Sequence, residues 1–133
     1  MPLRDNRNLR RVGAAGEALA CRWLIERGYR VRETNYRCLR GEIDIVAEKD
    51  GCLAFVEVKY RSGGAYGRPR EAVTPRKQRA MCRAALQYLG DGLAGGAEWG
   101  LRFDVIEIYQ PPGQPPRVIH IENAFEYRDE YGD

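Results

Sequence analysis

The stretch GEIDIVAEKDGCLAFVEVKY, residues 41–60, decides the fold. Its two halves, GEIDIVAE (41–48) and CLAFVEVKY (52–60), are rich in strand formers and flank Asp50-Gly51. Asp-Gly between alternating apolar segments is the strongest short-range hairpin signal. A two-residue turn at 50–51 sets residue 49 against 52, and therefore 46 against 55, 44 against 57 and 42 against 59. Strand period two then gathers Glu42, Asp44, Val46, Phe55, Glu57 and Lys59 on one face. The other face, Ile43, Ile45, Ala47, Ala54, Val56 and Val58, is wholly apolar, and a one-residue slip would break that separation.

Carboxylates directly opposed across a hairpin repel each other by roughly 0.2–1 kcal/mol. A divalent cation between Asp44 and Glu57 would remove that cost, and Mg²⁺ is commonly held by one or two carboxylates plus waters and substrate phosphates. The alternative is a solvated face on which Glu42 pairs with Lys59 while Asp44 and Glu57 point into water. Val46 and Phe55 on the same face argue instead for a partly buried setting. Lys59, two residues after Glu57, points to the same side and is placed to orient an attacking water or stabilise a phosphoryl transition state.

Outward from the hairpin, residues 13–27 are rich in helix formers with an apolar stripe of Leu19, Ala20, Trp23 and Leu24, and Gly28 supplies the stop. Residues 29–36 alternate as a first strand. After a glycine-rich basic loop at 61–73, Thr74 and Pro75 open a second helix as N-cap and N1, ending at Gly90. WGLRFDVIEIY (99–109) and RVIHIE (117–122), joined by PPGQPP (111–116), are two later strands. The order α-β-β-β-α-β-β predicts an α/β or α+β chain with a mixed central sheet flanked by helices. Residues 1–12 read as a mobile basic arm, 13–126 as one domain and 127–133 as an acidic tail.

The 133 residues carry 22 Lys+Arg against 19 Asp+Glu, a formal net charge of +3 that says little as a total. Along the chain it divides into +6 over residues 1–40, −3 over 41–56, +6 over 57–83, −1 over 84–97 and −5 over 98–133, so two basic blocks flank the acidic segment of the hairpin. All cations but Lys49, Lys59 and Lys77 are arginine, whose planar fork suits phosphate; an arginine-rich coding bias is the competing account. No apolar run reaches the ~18 residues of a membrane span and no secretory signal is visible, which points to a cytoplasmic protein with no membrane partner. Cys21, Cys38, Cys52 and Cys82 lack C-x-x-C spacing, so neither a zinc site nor a disulfide framework is expected.

Asp44, then Glu57-Val58-Lys59 on a hairpin, preceded by a helix bearing Glu17, resemble the PD-(D/E)XK or restriction-endonuclease-like fold. The resemblance is closer to the YraN family of uncharacterised bacterial proteins. It rests on Gly16-Glu17, NYRCLRGEID (35–44), FVEVKYR (55–61), AVTPRKQ (72–78), RFDV (102–105) and HIENAF (120–125), and covers about residues 10–125. That family is regarded as predicted endonucleases, distantly similar to archaeal Holliday-junction resolvases. By position the resemblance implies that Asp44 and Glu57 are metal ligands with the carbonyl of Val58 as a third, that Lys59 is the catalytic lysine, and that Glu17 and Gln78 complete the site. The family's proline before the acid is replaced by Ile43.

Read without the resemblance, Glu17 is also a first-turn carboxylate favoured by the helix dipole, and Gln78 also a residue that hydrogen-bonds a loop. His120 reads as structural or surface, and Asp104 and Glu107 have no evident partner and stay outside the site. The basic residues nearest the acid face, Arg37, Arg40, Arg61, Arg70, Arg76 and Lys77 among them, are read as phosphate contacts, with Tyr36, Tyr60 and Tyr66 interleaved for stacking. The expectation is a Mg²⁺- or Mn²⁺-dependent endonuclease acting on DNA, branched or structured DNA included. The alternatives are a non-catalytic nucleic-acid-binding or assembly protein, or a nuclease for RNA or single strands. A homodimer is expected by analogy with resolvases alone.

Overall fold

A computed structural model describes residues 6–62 and 73–127, with backbone alone at 6–14 and 62. The elements follow the expected order: α1 (Asn6–Glu26), β1 (Arg30–Cys38), β2 (Gly41–Lys49), β3 (Cys52–Ser62), α2 (Pro75–Gly90), β4 (Gly100–Gln110) and β5 (Arg117–Phe125). The five strands form one sheet in sequence order. β1–β2, β2–β3 and β4–β5 pair antiparallel, while β3 and β4 run parallel over eleven residue pairs, from Cys52–Gly100 to Ser62–Gln110. A parallel pair needs a crossover, and α2 is that crossover.

Local chemistry sets the boundaries. At the end of α1 the Gly28 N–H bonds the Ile25 carbonyl and the Tyr29 N–H bonds the Leu24 carbonyl, each at 3.0 Å, with Gly28 at φ 91°. This is the Schellman closure that a glycine at C′ permits. Thr74 Oγ1 accepts the Lys77 N–H at 3.2 Å and Pro75 occupies the first turn, so α2 starts where the sequence places it. Asp50 and Gly51, at φ 52° and 77°, make the two-residue turn expected between β2 and β3.

The start of α1 is a correction. The helix begins at Asn6, so the backbone of the second half of the expected basic arm is helical. One interior glycine, Gly13, costs a helix only about 1 kcal/mol, too little to stop a run of good formers on either side.

Both faces of the sheet are covered, as expected of a sheet flanked by helices. Ala20 and Leu24 of α1 pack on Ile45, Ala47, Ala54, Val56, Ile106 and Ile108. Met81, Cys82, Ala84, Ala85 and Tyr88 of α2 pack on Val46, Leu53, Phe55 and Phe103. Residues 53–56 are therefore buried without a break, the pattern of a strand covered on two sides. Ile43 packs on the α2 side while Ile45 packs on the α1 side, although two residues apart on a regular strand share a face. The alternation reverses at Asp44.

Candidate active site at the parting of two strands

The β2–β3 ladder follows the expected register from Lys49–Cys52 to Ile45–Val56 and goes no further. The expected ladder pairs of Asp44 with Glu57 and of Glu42 with Lys59 are thus corrected: the two strands part after five pairs. Beyond the parting, the Val58 N–H donates to Asp44 Oδ2 at 2.8 Å, so a side chain takes the place of a ladder carbonyl. The physical reason lies in the neighbouring strand. β2 keeps pairing with β1 through Thr34–Ile45 and Tyr36–Ile43. Between them Asn35, at φ 53°, occupies the left-handed region that asparagine tolerates best among non-glycine residues. The kink at Asn35 and Asp44 follows β1, and β3 continues straight along β4.

This geometry collects charges from five elements. Glu57 of β3 lies 3.2 Å from Lys77 Nζ of α2, and Lys77 Nζ is also 3.7 Å from Glu42 of β2. Arg37 Nε of β1 approaches Glu42 at 3.6 Å. The Asn35 amide donates to Glu17 Oε2 of α1 at 2.8 Å, which holds the first-helix acid beside the kink. Burial pushes the Asp44 carboxyl up to about 6; the charges of Glu57 and Glu17 add to this, while the Val58 N–H and Lys77 oppose it. For Lys77, burial pulls the ammonium down, but Glu57, Glu42 and Asp44 together outweigh it and raise it.

Glu57 and Lys59 are half-buried on β3. Val58 between them packs partly against the α1-side core, so its backbone faces Asp44. Gln78 Nε2 donates to the Val73 carbonyl at 2.8 Å, which is the loop-bonding role, and this bond ties the start of α2 to the segment before it. Among the described residues no three His, Cys, Asp or Glu side chains converge closely enough to hold a metal unaided. The structure therefore offers two acids near one point, Asp44 and Glu57, with Glu17 turned to Asn35.

Of the residues expected to meet phosphate, Arg40 and Arg76 are exposed, Arg37 is exposed but paired with Glu42, and Arg61 is half-buried against Glu107. Arg70, like Arg68 and Tyr66, lies outside the described residues. Lys77 belongs to the acid cluster itself. Tyr36 is a correction: it is buried, edge-on to Tyr88 with ring centroids 5.4 Å apart, and serves the core; Tyr60 is partly exposed.

Two acids that the sequence left unplaced have definite settings. Asp104, fully buried, receives Arg102 at 2.9 and 2.8 Å, His120 at 2.7 Å and the Asn123 N–H at 2.9 Å. His120 is thus structural, as expected. Arg102 also bonds the Tyr29 hydroxyl, so this cluster joins β4, β5 and the end of α1. Burial alone would raise the Asp104 carboxyl, but the bonds from His120, Arg102 and Asn123 hold it below the ordinary range. Glu107, 1% exposed, neighbours Lys59 across the parallel β3–β4 pair. Its position between Ile106 and Ile108 was the available signal: an acid in mid-strand between core residues needs a buried partner.

Comparison with known proteins agrees with the motifs. A "UPF0102 protein" of Alkaliphilus oremlandii is 47% identical over 116 residues, covering 87% of this chain and 98% of the relative. One of Trichlorobacter lovleyi is 44% identical over 127 residues, covering 95% and 98%. One of Symbiobacterium thermophilum is 47% identical over 116 residues, covering 87% and 97%. Residues 16–108, which include Glu17, Asp44, Glu57, Lys59 and Gln78, match the family description "Uncharacterised protein family UPF0102", and the chain belongs to that family, the YraN family its motifs resemble.

Proposed function

We propose that the protein is a divalent-metal-dependent endonuclease that hydrolyses phosphodiester bonds of DNA. The observation that carries the reading is Asp44. Its carboxyl is partly buried at the parting of β2 and β3, raised to about 6 by burial and by neighbouring acids, and beside Glu57. A carboxyl so placed gains most from a cation. The donor set fits Mg²⁺ or Mn²⁺: Asp44, Glu57 and the Val58 carbonyl are hard oxygen donors, and two carboxylates leave room for waters and a substrate phosphate. A cation held there supplies charge neutralisation at the phosphate and acidifies a water.

The protein's own groups do the rest. The Val58 N–H fixes one Asp44 oxygen and so aims the carboxylate. Lys77 screens Glu57 and Glu42 until substrate arrives. Lys59 shares the Glu57 face of β3 and is the group that orients the attacking water and meets charge developing on the phosphate. Exposed Arg40 and Arg76, from the β1–β2 turn and the first turn of α2, supply sequence-independent phosphate contacts. The resemblance of Asp44 and Glu57-Val58-Lys59 to restriction-endonuclease-like nucleases supports the same reading, and the family's distant similarity to Holliday-junction resolvases brings branched DNA among the substrates to test.

The test is cleavage of four-way junction, flap, duplex and single-stranded DNA, and of RNA, with Mg²⁺ or Mn²⁺. The wild type cuts at least one DNA substrate, while Asp44→Asn and Lys59→Ala lose at least about 10²-fold in rate and Asp44→Asn still binds. The reading fails if no substrate is cut, or if the variants cut as fast as wild type.

A further inference from the structure

Leu39 has no role in the account above, and it stands at the tip of the β1–β2 turn. Cys38 pairs with Gly41 at the base of that turn, so Leu39 and Arg40 are its two central residues. Two-residue hairpin turns favour glycine, asparagine and aspartate, as Asp50-Gly51 does in the next hairpin. Leu39 and Arg40 are none of these, and neither takes a positive φ, so turn chemistry does not account for the leucine. It is 103% exposed, the most exposed large apolar side chain among the described residues, with Ile25 next at 57%. A single exposed leucine is ordinary on a protein surface, so its setting decides.

The tip is held still. The Cys38 thiol donates to the Gly41 carbonyl at 3.4 Å, and the Gly41 backbone rests on α2 so closely that a Cβ there would lie 2.2 Å from the Ala80 carbonyl oxygen. The tip is also bordered by cations: Arg40 is exposed next to Leu39, and exposed Arg76 shares the Ala80 face of α2, four residues back. And it is near the acids. Glu42, three residues on, meets Lys77 at 3.7 Å. Asp44 is five residues on, a reach of about 17 Å along a strand. Cations that hold the phosphate backbone, with an apolar side chain projecting beside them, form the arrangement by which proteins enter a base step.

We infer that Leu39 is a wedge that enters an unstacked base step of DNA within about five nucleotides of the cut, because a nucleic-acid strand rises about 3.4 Å per nucleotide. A continuous duplex must be unstacked to admit it, whereas a branch point has already lost that stacking. Leu39 thereby selects branched over continuous DNA. The inference rests on the DNA-binding part of the reading above and adds to it the residue that sets substrate preference.

The experiment binds the full chain, in Ca²⁺, to four-way junction, flap and duplex DNA carrying 2-aminopurine, a base that brightens when unstacked, at successive positions around the branch point. At saturating protein the wild type brightens at least one position of a branched substrate, Leu39→Ser leaves every position dim, and Leu39→Met brightens the same position as wild type. In Mg²⁺ the ratio of branched to duplex cleavage falls by about tenfold in Leu39→Ser, the scale of losing one buried leucine contact. The melting temperature of Leu39→Ser stays within about 3 °C of wild type, because a fully exposed side chain supports no packing. A Leu39→Ser protein that brightens the probe as wild type does, or that keeps the full preference for branched DNA, overturns the wedge and leaves the nuclease reading standing. So does a wild type that dimerises through Leu39 and leaves every probe position dim. A wild type that brightens the probe through Leu39 but cuts no substrate supports the wedge and overturns the nuclease reading.

Discussion

Burial above all pushes the Asp44 carboxyl up from an ordinary value of 3.8 to about 6. Between about pH 4 and 6 the folded protein keeps a proton that the unfolded chain has released. Metal-free stability therefore falls as pH rises through that window and levels off above it. Two pH units correspond to about 3 kcal/mol. In EDTA, urea denaturation of the wild type gives a lower stability at pH 7.5 than at pH 5 from this group, and Asp44→Asn removes that part of the difference. Asp104 acts in the opposite sense: its depressed carboxyl contributes stability above the unfolded value, lost as pH falls below about 4. At this scale the nearness of Asp44 to Glu57 was legible from the turn signal and the strand period, whereas the loss of their ladder pairing was not. The pairing of Lys77 with Glu57 and the burial of Tyr36 were not, because both depend on how α2 lies over the hairpin, a contact between residues far apart in the chain.

At the scale of elements, the site depends on two junctions. One is the parting of β2 from β3, which no alternation pattern announces; period two described the hairpin correctly up to Ile45–Val56 and failed where Asn35 and Asp44 turn the strand over. The other is the contact of the β1–β2 turn with α2. A Cβ on Gly41 would lie 2.2 Å from the Ala80 carbonyl oxygen and 2.9 Å from its carbon. Both are backbone atoms, so Gly41→Ala forces the turn and the helix apart, at a cost of about 3 kcal/mol. Thermal unfolding should show a drop in Tm on the order of 10 °C, with Mg²⁺-dependent cleavage reduced because Glu42 and Lys77 no longer meet. An unchanged Tm would mean that the turn does not rest on the helix.

Across the whole molecule, the order of elements and the mixed sheet were readable from hairpin, cap and breaker signals. The parallel β3–β4 pairing places Glu107 beside Lys59, and the Arg102–Asp104–His120 cluster closes β4 onto β5 and the end of α1; neither follows from local sequence. Asp104→Ala strips Arg102, His120 and the Asn123 N–H of their buried acceptor and is expected to cost about 3–5 kcal/mol, seen as a lower urea midpoint, with the acid pair of the site left in place. The two basic blocks predict that affinity for DNA falls steeply and linearly in log–log form with salt; a flat salt dependence would mean that they do not meet phosphate. If the parting of β2 and β3 makes a divalent-cation site of Asp44 and Glu57, calorimetric titration of Mn²⁺ at pH 7.5 separates wild type from Asp44→Asn. Wild type binds one ion or more in a saturable step that the variant loses or weakens by at least about tenfold, the scale of removing one ligand or its support; equal binding by the two proteins would mean that Asp44 holds no cation.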